Sequence, residues 1–375
     1  MNAPIAHCAV TPYGRDAGSA RVRVFGWLDL VDTEFTVSCY LARRDAHPAQ
    51  LARRPAAVAR AELRLRELAA ARPHRLLLHR EASPLSRGEL EQRLLRGAGF
   101  AVYDFDDALQ WDHGDGSVLR RLAPKAPKAR AAVRWADRVV AGCPVLADWA
   151  GAHHHDVRLI PSCVAPADYR RKSDYALHDP PRLGWVGSAG NERYLLRIAT
   201  ALTELHRRTG ARLTVLGTDR PRLGQLEAVI DRVPWSEAAQ HTALAELDLG
   251  LMPLPDTPYT RGKCGYKLLQ YAAAGLPAVA DPVGVNAHLL DRFGLPAPRT
   301  PEEWTEALLA LLAAPASERA RLGERAHRVV EAEYSYRRWL PQWRAALELD
   351  PAPTTAAAPP SATAGPPPAR AGGAS

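Results

Sequence analysis

The sequence predicts an α/β protein made of two domains, each built on a parallel β-sheet. Short apolar runs, which are typical of buried strands, alternate with helical patterns along most of the 375 residues. Such alternation implies parallel strands joined by right-handed helical crossovers. A polar segment that ends in two prolines, Asp168–Pro181, divides the pattern into two halves of ordinary domain size. The two domains are therefore expected to face each other across a cleft.

Six of the predicted strands lie in the first half and four in the second. In chain order they are Ile5–Val10, Glu34–Tyr40, Arg75–Leu78, Phe100–Tyr103, Arg138–Ala141, Val157–Ile160, Arg182–Val186, Arg212–Leu216, Leu249–Leu254 and Pro277–Ala280. The helical patterns are Ala56–Ala71, Ser86–Gly97, Ala126–Asp137, Asn191–Thr209, Gln240–Leu247, Tyr266–Ala274, Trp304–Leu312 and Ser317–Leu349.

These elements indicate four segments of the chain. Residues 1–170 are expected to form the first domain and residues 181–333 the second. The helical residues 334–349 are expected to pack back on the first domain. Residues 350–375 are rich in Pro, Ala, Gly and Ser without an apolar period, so we expect a disordered tail.

The charge balance indicates an anionic partner. The net charge is +8 and the pI is about 9.4, which favours nucleic acids, anionic membranes or phosphorylated small molecules. A basic motif interleaved with aromatic residues is missing, which argues against nucleic acid. The arginine-rich segment Arg53–Arg80 is either a peripheral membrane contact on the inner face or an ordinary solvated helix face.

The cysteines and apolar runs predict a cytoplasmic protein. The five cysteines are scattered, without C-x-x-C pairs or zinc spacing. No run of 18 apolar residues predicts a membrane span, and the N-terminus does not resemble a signal peptide. Three adjacent histidines, His153–His155, read as a solvated helix end, because neighbours in sequence converge poorly on one ion. No metal site and no cofactor are therefore predicted.

The segment Asp248–Asn286 carries the clearest functional signal. A basic loop with Arg261, Lys263 and Gly265 leads from a buried strand into a helix that begins near Lys267. A helix N-terminus offers unpaired N–H groups and partial positive charge, and lysines add full charges. The sequence therefore predicts a diphosphate site at the carboxyl end of a strand, where α/β sheets bind ligands.

A second loop of small residues follows the strand Arg182–Val186. Gly187 and Ser188 stand there at the entry to a helix, which also suits a phosphate. The alternative is a tight turn with Asn191 as the helix cap. Trp235, in an apparently exposed turn, is either a nucleobase contact or a packing residue.

Polar residues also end two strands of the first half. Asp104, Asp106 and Asp107 follow one strand, and His79 and Arg80 end another. A carboxylate there would bind an acceptor hydroxyl or act as its base, and the D-x-D-like spacing also occurs in metal-dependent transferases of another fold. The alternative is a helix cap.

The pattern G-x-K-L-L-Q-Y-x-A-x-G-x-P-x-V-A-x-P-V-G-V-N, which begins at Gly265, resembles the donor half of glycosyltransferase family 4, the group 1 glycosyltransferases. The segments Gly184–Ser188, Ser19–Arg23, His79–Glu81 and Tyr103–Ala108 are similar to other parts of these enzymes. The resemblance covers roughly residues 5–345. It implies the GT-B fold, with two Rossmann-like domains facing a cleft, and the expected C-terminal helices and disordered tail follow them.

The resemblance also implies a hexosyltransferase that moves a sugar from a nucleotide diphosphate sugar to a hydroxyl acceptor. Retention of anomeric configuration and independence of metal are implied as well. The expected donor-binding residues are Gly187, Ser188, Arg261, Lys263, Gly265, Tyr266, Lys267, Gln270, Gly284, Val285 and Asn286. Catalysis is expected from Asp104, Asp106, Asp107 and Lys267, and acceptor binding from the Gly18–Ser19 turn, His79 and Arg80.

The chain departs from the family at two positions. Gly262 and Gln270 stand where the family carries two glutamates eight positions apart. Gln270 is expected to hydrogen-bond ribose hydroxyls, whereas Gly262 cannot hold a sugar. Two alternatives therefore stay open: a nucleotide-sugar epimerase of the same architecture and a catalytically silent nucleotide-binding protein. The acceptor stays open among sugars, lipid-linked sugars and small molecules.

Overall fold

The computed structural model describes residues 6–41, 51–112, 121–220 and 223–349. The predicted tail, residues 350–375, lies outside the described residues, and the first predicted strand begins outside them.

The first domain is a parallel sheet of six described strands in the order β2-β1-β3-β4-β5-β6. Its strands are β1 (His7–Tyr13), β2 (Thr36–Leu41), β3 (Arg75–His79), β4 (Phe100–Phe105), β5 (Arg138–Ala141) and β6 (Val157–Leu159). Its helices are α1, made of Gly18–Ala20, the π-helical Arg21–Phe25 and Gly26–Leu28, then α2 (Pro55–Ala71), α3 (Glu89–Gly97), α4 (Lys125–Trp135) and α5 (Pro144–Gly151). A 3₁₀ turn, Leu109–Trp111, follows β4, and another, Pro166–Asp168, precedes the second domain.

The second domain is a parallel sheet of five described strands in the order β11-β10-β7-β8-β9. Its strands are β7 (Arg182–Val186), β8 (Arg212–Gly217), β9 (Ile230–Pro234), β10 (Leu249–Met252) and β11 (Ala278–Ala280). Its α-helices are α6 (Ala199–Thr209), α7 (Glu237–Ala243), α8 (Pro258–Arg261), α9 (Tyr266–Ala273), α10 (Val285–Phe293), α11 (Pro301–Ala313) and α12 (Ala316–Glu333). The 3₁₀ segments are Ala189–Ile198, Gly224–Val229 and Leu244–Glu246. The two parallel sheets confirm the predicted α/β fold.

Four predicted details were wrong. Ile230–Pro234 forms edge strand β9, where the sequence indicates a turn, because an edge strand tolerates a terminal proline. Gly18 begins helix α1 and is not in a turn, and Val285 begins helix α10, where the glycine pattern of Val283–Asn286 predicts a turn. The predicted helix Ser317–Leu349 is two helices, because the Ser335 side chain accepts a hydrogen bond from the Arg338 amide and caps a new start.

That last helix, α13 (Tyr336–Ala346), lies against the first domain. Its Trp343 stacks on Trp27 of α1 with ring centroids 5.5 Å apart. The Tyr336 hydroxyl donates to the carbonyl of Val22 at 2.9 Å. The chain thus crosses back from the second domain, and α13 covers the face of the first sheet that α1 also covers.

Candidate active site

The candidate site lies where the carboxyl ends of the two sheets approach each other. In the second sheet the order reverses between β7 and β10, and the loops that follow these strands carry Gly187 and Lys263. In the first sheet the loops after β3 and β4 carry Arg80 and Asp107. Ligands bind in open α/β sheets at such points of reversal. The sequence thus placed these loops at the correct edges.

Gly265 forms the start of the predicted phosphate cradle. It caps α9 in the left-handed conformation, with φ of +66°. A Cβ atom there would lie 2.5 Å from Cδ1 of Leu289. Only glycine adopts this conformation at little cost and leaves the space free. The first N–H groups of α9 therefore start at a position reserved for glycine.

Lys267 is the second residue of α9 and lies next to strand β7 of the second sheet. Its Nζ is 5.1 Å from the ring centroid of Trp185 on β7. A Cβ atom on Gly187 would lie 3.1 Å from Cε of Lys267, so the two predicted phosphate loops are in contact. Burial, and the nearby charge of Lys263, lower the pKa of Lys267 to about 7, with a smaller opposing effect of Asp107. The Lys267 amine can therefore gain a proton when an anion binds next to it.

Lys263 joins the two domains directly. Its Nζ lies 3.2 Å from Oδ1 of Asp107 and 4.8 Å from the ring centroid of Tyr259. Burial by itself raises the pKa of Asp107, but the positive charges of Lys263 and Arg80 hold that pKa well below its usual range. Burial lowers the pKa of Lys263, but the charge and hydrogen bond of Asp107, together with Tyr259 and Tyr194, outweigh burial and raise that pKa. Asp107 is therefore a poor proton acceptor at neutral pH.

Asp104 and His79 lie beneath the cleft surface. Asp104 accepts hydrogen bonds from Nε and Nη2 of Arg23, at 3.1 and 2.5 Å, and lies 2.8 Å from Nδ1 of His79. Both predicted site residues are at most 1% exposed. Burial raises the pKa of Asp104, but Arg23 and His79 more than offset it and hold the pKa below its usual range. The predicted contacts of Asp104 and His79 with an acceptor are thereby corrected: Asp104 holds Arg23, and His79 bonds to Asp104.

Arg80 links the two remaining carboxylates of the first domain. Its backbone is left-handed, with φ of +61°. Its Nε donates to Asp106 and its Nη2 to Asp107, both at 2.6 Å. This fork orients Asp107 toward Lys263. Asp106 and Asp107 are thus charge-paired and held at the cleft edge.

The two positions that depart from the family are filled in different ways. Gln270 is buried, and its Nε2 donates to the Tyr169 hydroxyl at 3.2 Å, while its contact with a ribose stays a prediction. Gly262 lies against the first domain, where a Cβ atom would stand 2.5 Å from Cβ of Ala108. A glutamate at 262 would force the domains apart in this arrangement. Glycine therefore suits a closed cleft.

The remaining second-domain residues support the cradle. Arg261 is exposed and pairs with Asp256 at 2.6 Å, and Gly284 packs on the Arg261 carbonyl. Val285 opens α10, and Asn286 donates from Nδ2 to the Asp281 carbonyl at 3.2 Å. The buried Oδ1 of Asn286 has no hydrogen-bond partner among the described residues.

Other predicted residues border the cleft. Ser188 is exposed and accepts a hydrogen bond from Nδ2 of Asn191 at 3.2 Å. Ser188 itself occupies the N-cap position of the 3₁₀ segment, so the alternative with Asn191 as the cap was wrong. Tyr266 lies within hydrogen-bond reach of Tyr169. Gly18 and Ser19 form the first turn of α1, which follows β1. The three adjacent histidines, His153–His155, lie just after the end of α5. Nδ1 of His153 is 2.8 Å from the carbonyl oxygen of Trp149, one helical turn earlier.

Arg21 and Arg23 are functional candidates to which the sequence assigned no role. Nε of Arg21 lies 3.3 Å from Oε1 of Glu237 across the cleft, and its guanidinium lies 4.8 Å from the ring centroid of Trp235. Its buried Nη1 has no hydrogen-bond partner among the described residues. The available signal was the spacing of two arginines just after the first strand, within a segment already similar to the family.

Comparison with known proteins agrees with this architecture. Residues 180–314 match the family model of "Glycosyl transferases group 1", which covers the second domain except its last helix, α12. No curated protein matches the sequence. Among the described residues, no helix is both long and apolar enough to cross a membrane.

Solved structures show the same fold. Anabaena HepE, in complex with UDP and glucose, matches with a TM-score of 0.68 and 13% identity, over 92% of this chain and all of HepE (100%). WaaG, a glycosyltransferase involved in lipopolysaccharide biosynthesis, matches with a TM-score of 0.61 and 17% identity, over 91% and 98%. A mutant of S. aureus TarM matches with a TM-score of 0.56 and 10% identity over 76% of this chain, which spans 58% of the TarM chain. The fold is therefore GT-B, and the family match supports a GT-B glycosyltransferase.

Proposed function

We propose that the protein transfers a hexose from a nucleotide diphosphate sugar to a hydroxyl acceptor, as a family 4 glycosyltransferase. The observation that carries the proposal is the contact between the Gly187 loop and Lys267 at the N-terminus of α9. This arrangement directs helix N–H groups and an ammonium group toward one point, as a leaving diphosphate requires. The match of residues 180–314 to group 1 glycosyl transferases supports the same function.

A uridine nucleotide sugar is the first donor to test. The HepE structure holds UDP and glucose, and the TarM structure holds UDP, α-GlcNAc-glycerol and fondaparinux. In our proposal the diphosphate lies on the amides of residues 265–267, and Lys267 carries its charge. We also propose that Arg21 contributes from the first domain through Nη1, which has no hydrogen-bond partner among the described residues.

The charged carboxylates support a mechanism without an enzymic base. Asp104 is buried in an ion pair, and Asp107 has a pKa far below neutral. In a retaining transfer the bond from the anomeric carbon to the phosphate oxygen breaks, and a bond to the acceptor oxygen forms on the same face. The acceptor proton then passes to the departing phosphate. Lys267 and the helix N-terminus stabilise the leaving group, so we propose that no metal is needed and no cofactor takes part.

The first domain would bind the acceptor beside Gly18 and Ser19. Lys263 would exchange Asp107 for the diphosphate as the donor enters, which couples donor binding to movement of the domains. The acceptor is a sugar, a lipid-linked sugar or a small molecule. We propose a cytoplasmic location, with a peripheral contact through the arginine-rich face of α2 if the acceptor is lipid-linked.

A panel of nucleotide sugars and hydroxyl acceptors, with products identified by mass spectrometry, tests the proposal. Lys267→Ala should lower turnover about 10²-fold or more, the scale of losing one charge-stabilising contact. Arg207→Ala, which removes a surface cation on α6, is the matched control and should retain activity. An isomerised nucleotide sugar would indicate an epimerase instead. Nucleotide binding without donor consumption would indicate a silent binding protein, which the missing glutamates at 262 and 270 favour.

A further inference from the structure

Two thiols meet where the phosphate cradle contacts the first domain. Cys143 caps α5 of the first domain, and Cys264 stands directly before Gly265 in the second. A Cβ atom on Gly142, next to Cys143, would lie 2.6 Å from Sγ of Cys264, so the two side chains are neighbours. Sγ of Cys264 lies 3.2 Å from the Asp106 carbonyl oxygen, and Sγ of Cys143 lies 3.6 Å from that of Gly262. Each sulfur is thus inserted into the other domain's loop.

The two thiols differ in reactivity. The Cys264 thiol and the amides of Val145 and Leu146 hold the pKa of Cys143 below its usual value against the effect of burial. A thiol at a helix N-terminus ionises readily for this reason. The neighbouring Cys143, together with burial, raises the pKa of Cys264. Cys143 is therefore the nucleophile of the pair, and the partly exposed Cys264 is the partner that a small oxidant reaches from the cleft.

We propose that Cys143 and Cys264 form a reversible disulfide that locks the cleft in its closed arrangement. Hydrogen peroxide, which reaches the partly exposed Cys264 from the cleft, oxidises that thiol to a sulfenic acid and is reduced to water. The Cys143 thiolate then attacks the oxidised sulfur, the disulfide bond forms, and the departing hydroxide takes up a proton and leaves as a second water. A dithiol reductant returns both thiols.

Such a bond would control access to the cradle. It would tie the residue next to Gly265 covalently to α5 and keep Lys263 beside Asp107. A diphosphate enters only if Lys263 is released and Gly262 moves away from Ala108. The part of the inference that concerns nucleotide access rests on the proposed function, whereas formation of the disulfide does not.

Peptide mapping of the full chain tests the bond itself. After treatment with hydrogen peroxide and alkylation, mass spectrometry should find a peptide pair joined through Cys143 and Cys264 that dithiothreitol separates. Cys8 is the internal control, because burial raises its pKa to about 12. A pair that involves other cysteines, or no cross-link at all, would overturn the proposal. This measurement on the unaltered chain needs no variant that might misfold.

Calorimetric titration with UDP tests the lock. If the disulfide reduces the open fraction tenfold, the apparent dissociation constant should rise about tenfold and recover with dithiothreitol. Cys264→Ser should bind UDP equally before and after peroxide, and Cys39→Ser should behave as the unaltered chain. A cross-linked protein with unchanged UDP affinity would overturn the lock. If the reduced protein binds no UDP, the proposed donor fails while the cross-link result stands.

Discussion

Binding of a diphosphate should draw one proton onto Lys267. Burial and Lys263 lower the pKa of Lys267 to about 7 in the ligand-free cradle. A diphosphate next to the ammonium group would restore the charged form and return its pKa toward the ordinary value of about 10.4. The protein therefore binds a proton together with the nucleotide over the range between these two values.

The size of this uptake follows from the two pKa values. At pH 8 a group with a pKa of about 7 is roughly one-tenth protonated, whereas a group with a pKa near 10 is almost fully protonated. UDP binding at pH 8 should thus take up about 0.9 proton per site. The terminal phosphate of UDP, with a pKa of about 6, is already ionised there and does not mask the effect. The association constant should fall about tenfold per pH unit between roughly pH 8 and 9.5.

Isothermal titration calorimetry measures the uptake. UDP is titrated at pH 8 in several buffers that differ in ionisation enthalpy. The observed binding enthalpy is plotted against the ionisation enthalpy of the buffer, and the slope gives the number of protons taken up per site. Lys267→Arg keeps a permanent charge and should bind UDP without proton uptake. Lys263→Arg is the matched control and should retain the uptake, because Lys263 is already protonated beside Asp107.

Two results would refute this reasoning. UDP binding without net proton uptake would show that Lys267 is charged in the free protein or does not meet the diphosphate. The same uptake in Lys267→Arg would assign the proton to another group.

Three further predictions follow from the geometry. Gly265→Ala should lower the free energy of unfolding by about 1–3 kcal/mol in urea denaturation, because φ is +66° and Leu289 fills the space. Gly190→Ala, which meets no atom within 4 Å, is its control and should change stability little. Asp104→Asn leaves the buried Arg23 without its counter-charge and should cost about 3–5 kcal/mol. In the unaltered chain this stabilisation should be present above about pH 4 and lost as the pH falls through the lowered pKa of Asp104, which denaturation at several pH values measures. Donor turnover should be unchanged in excess EDTA, and a loss restored by Mn²⁺ or Mg²⁺ would contradict the mechanism.

The sequence could predict most strands and helices, because their patterns are local. Apolar runs identified both sheets, and Pro and Gly identified many loops. It failed at β9, since Ile230–Pro234 is only half-buried at a sheet edge. It also failed at α1, whose helix packs under α13 through Trp27 and Trp343, a contact between distant parts of the chain.

Individual site residues were harder to interpret than the site itself. A carboxylate after a strand looks the same whether it faces a cleft or lies beneath it. Only packing shows that Asp104 pairs with Arg23 while Asp107 reaches Lys263. Gln270 likewise has its amide directed at Tyr169.

The sequence by itself determined the class of fold and the position of the predicted phosphate cradle. Strand periodicity, and the presence of Gly265 and Lys267 at the start of a helix, are properties of short segments. The tertiary structure alone decided which charges are paired, which thiols meet and how basic Lys267 is. These properties depend on burial and on distances between residues far apart in the chain, such as Cys143 and Cys264, and no local pattern encodes them.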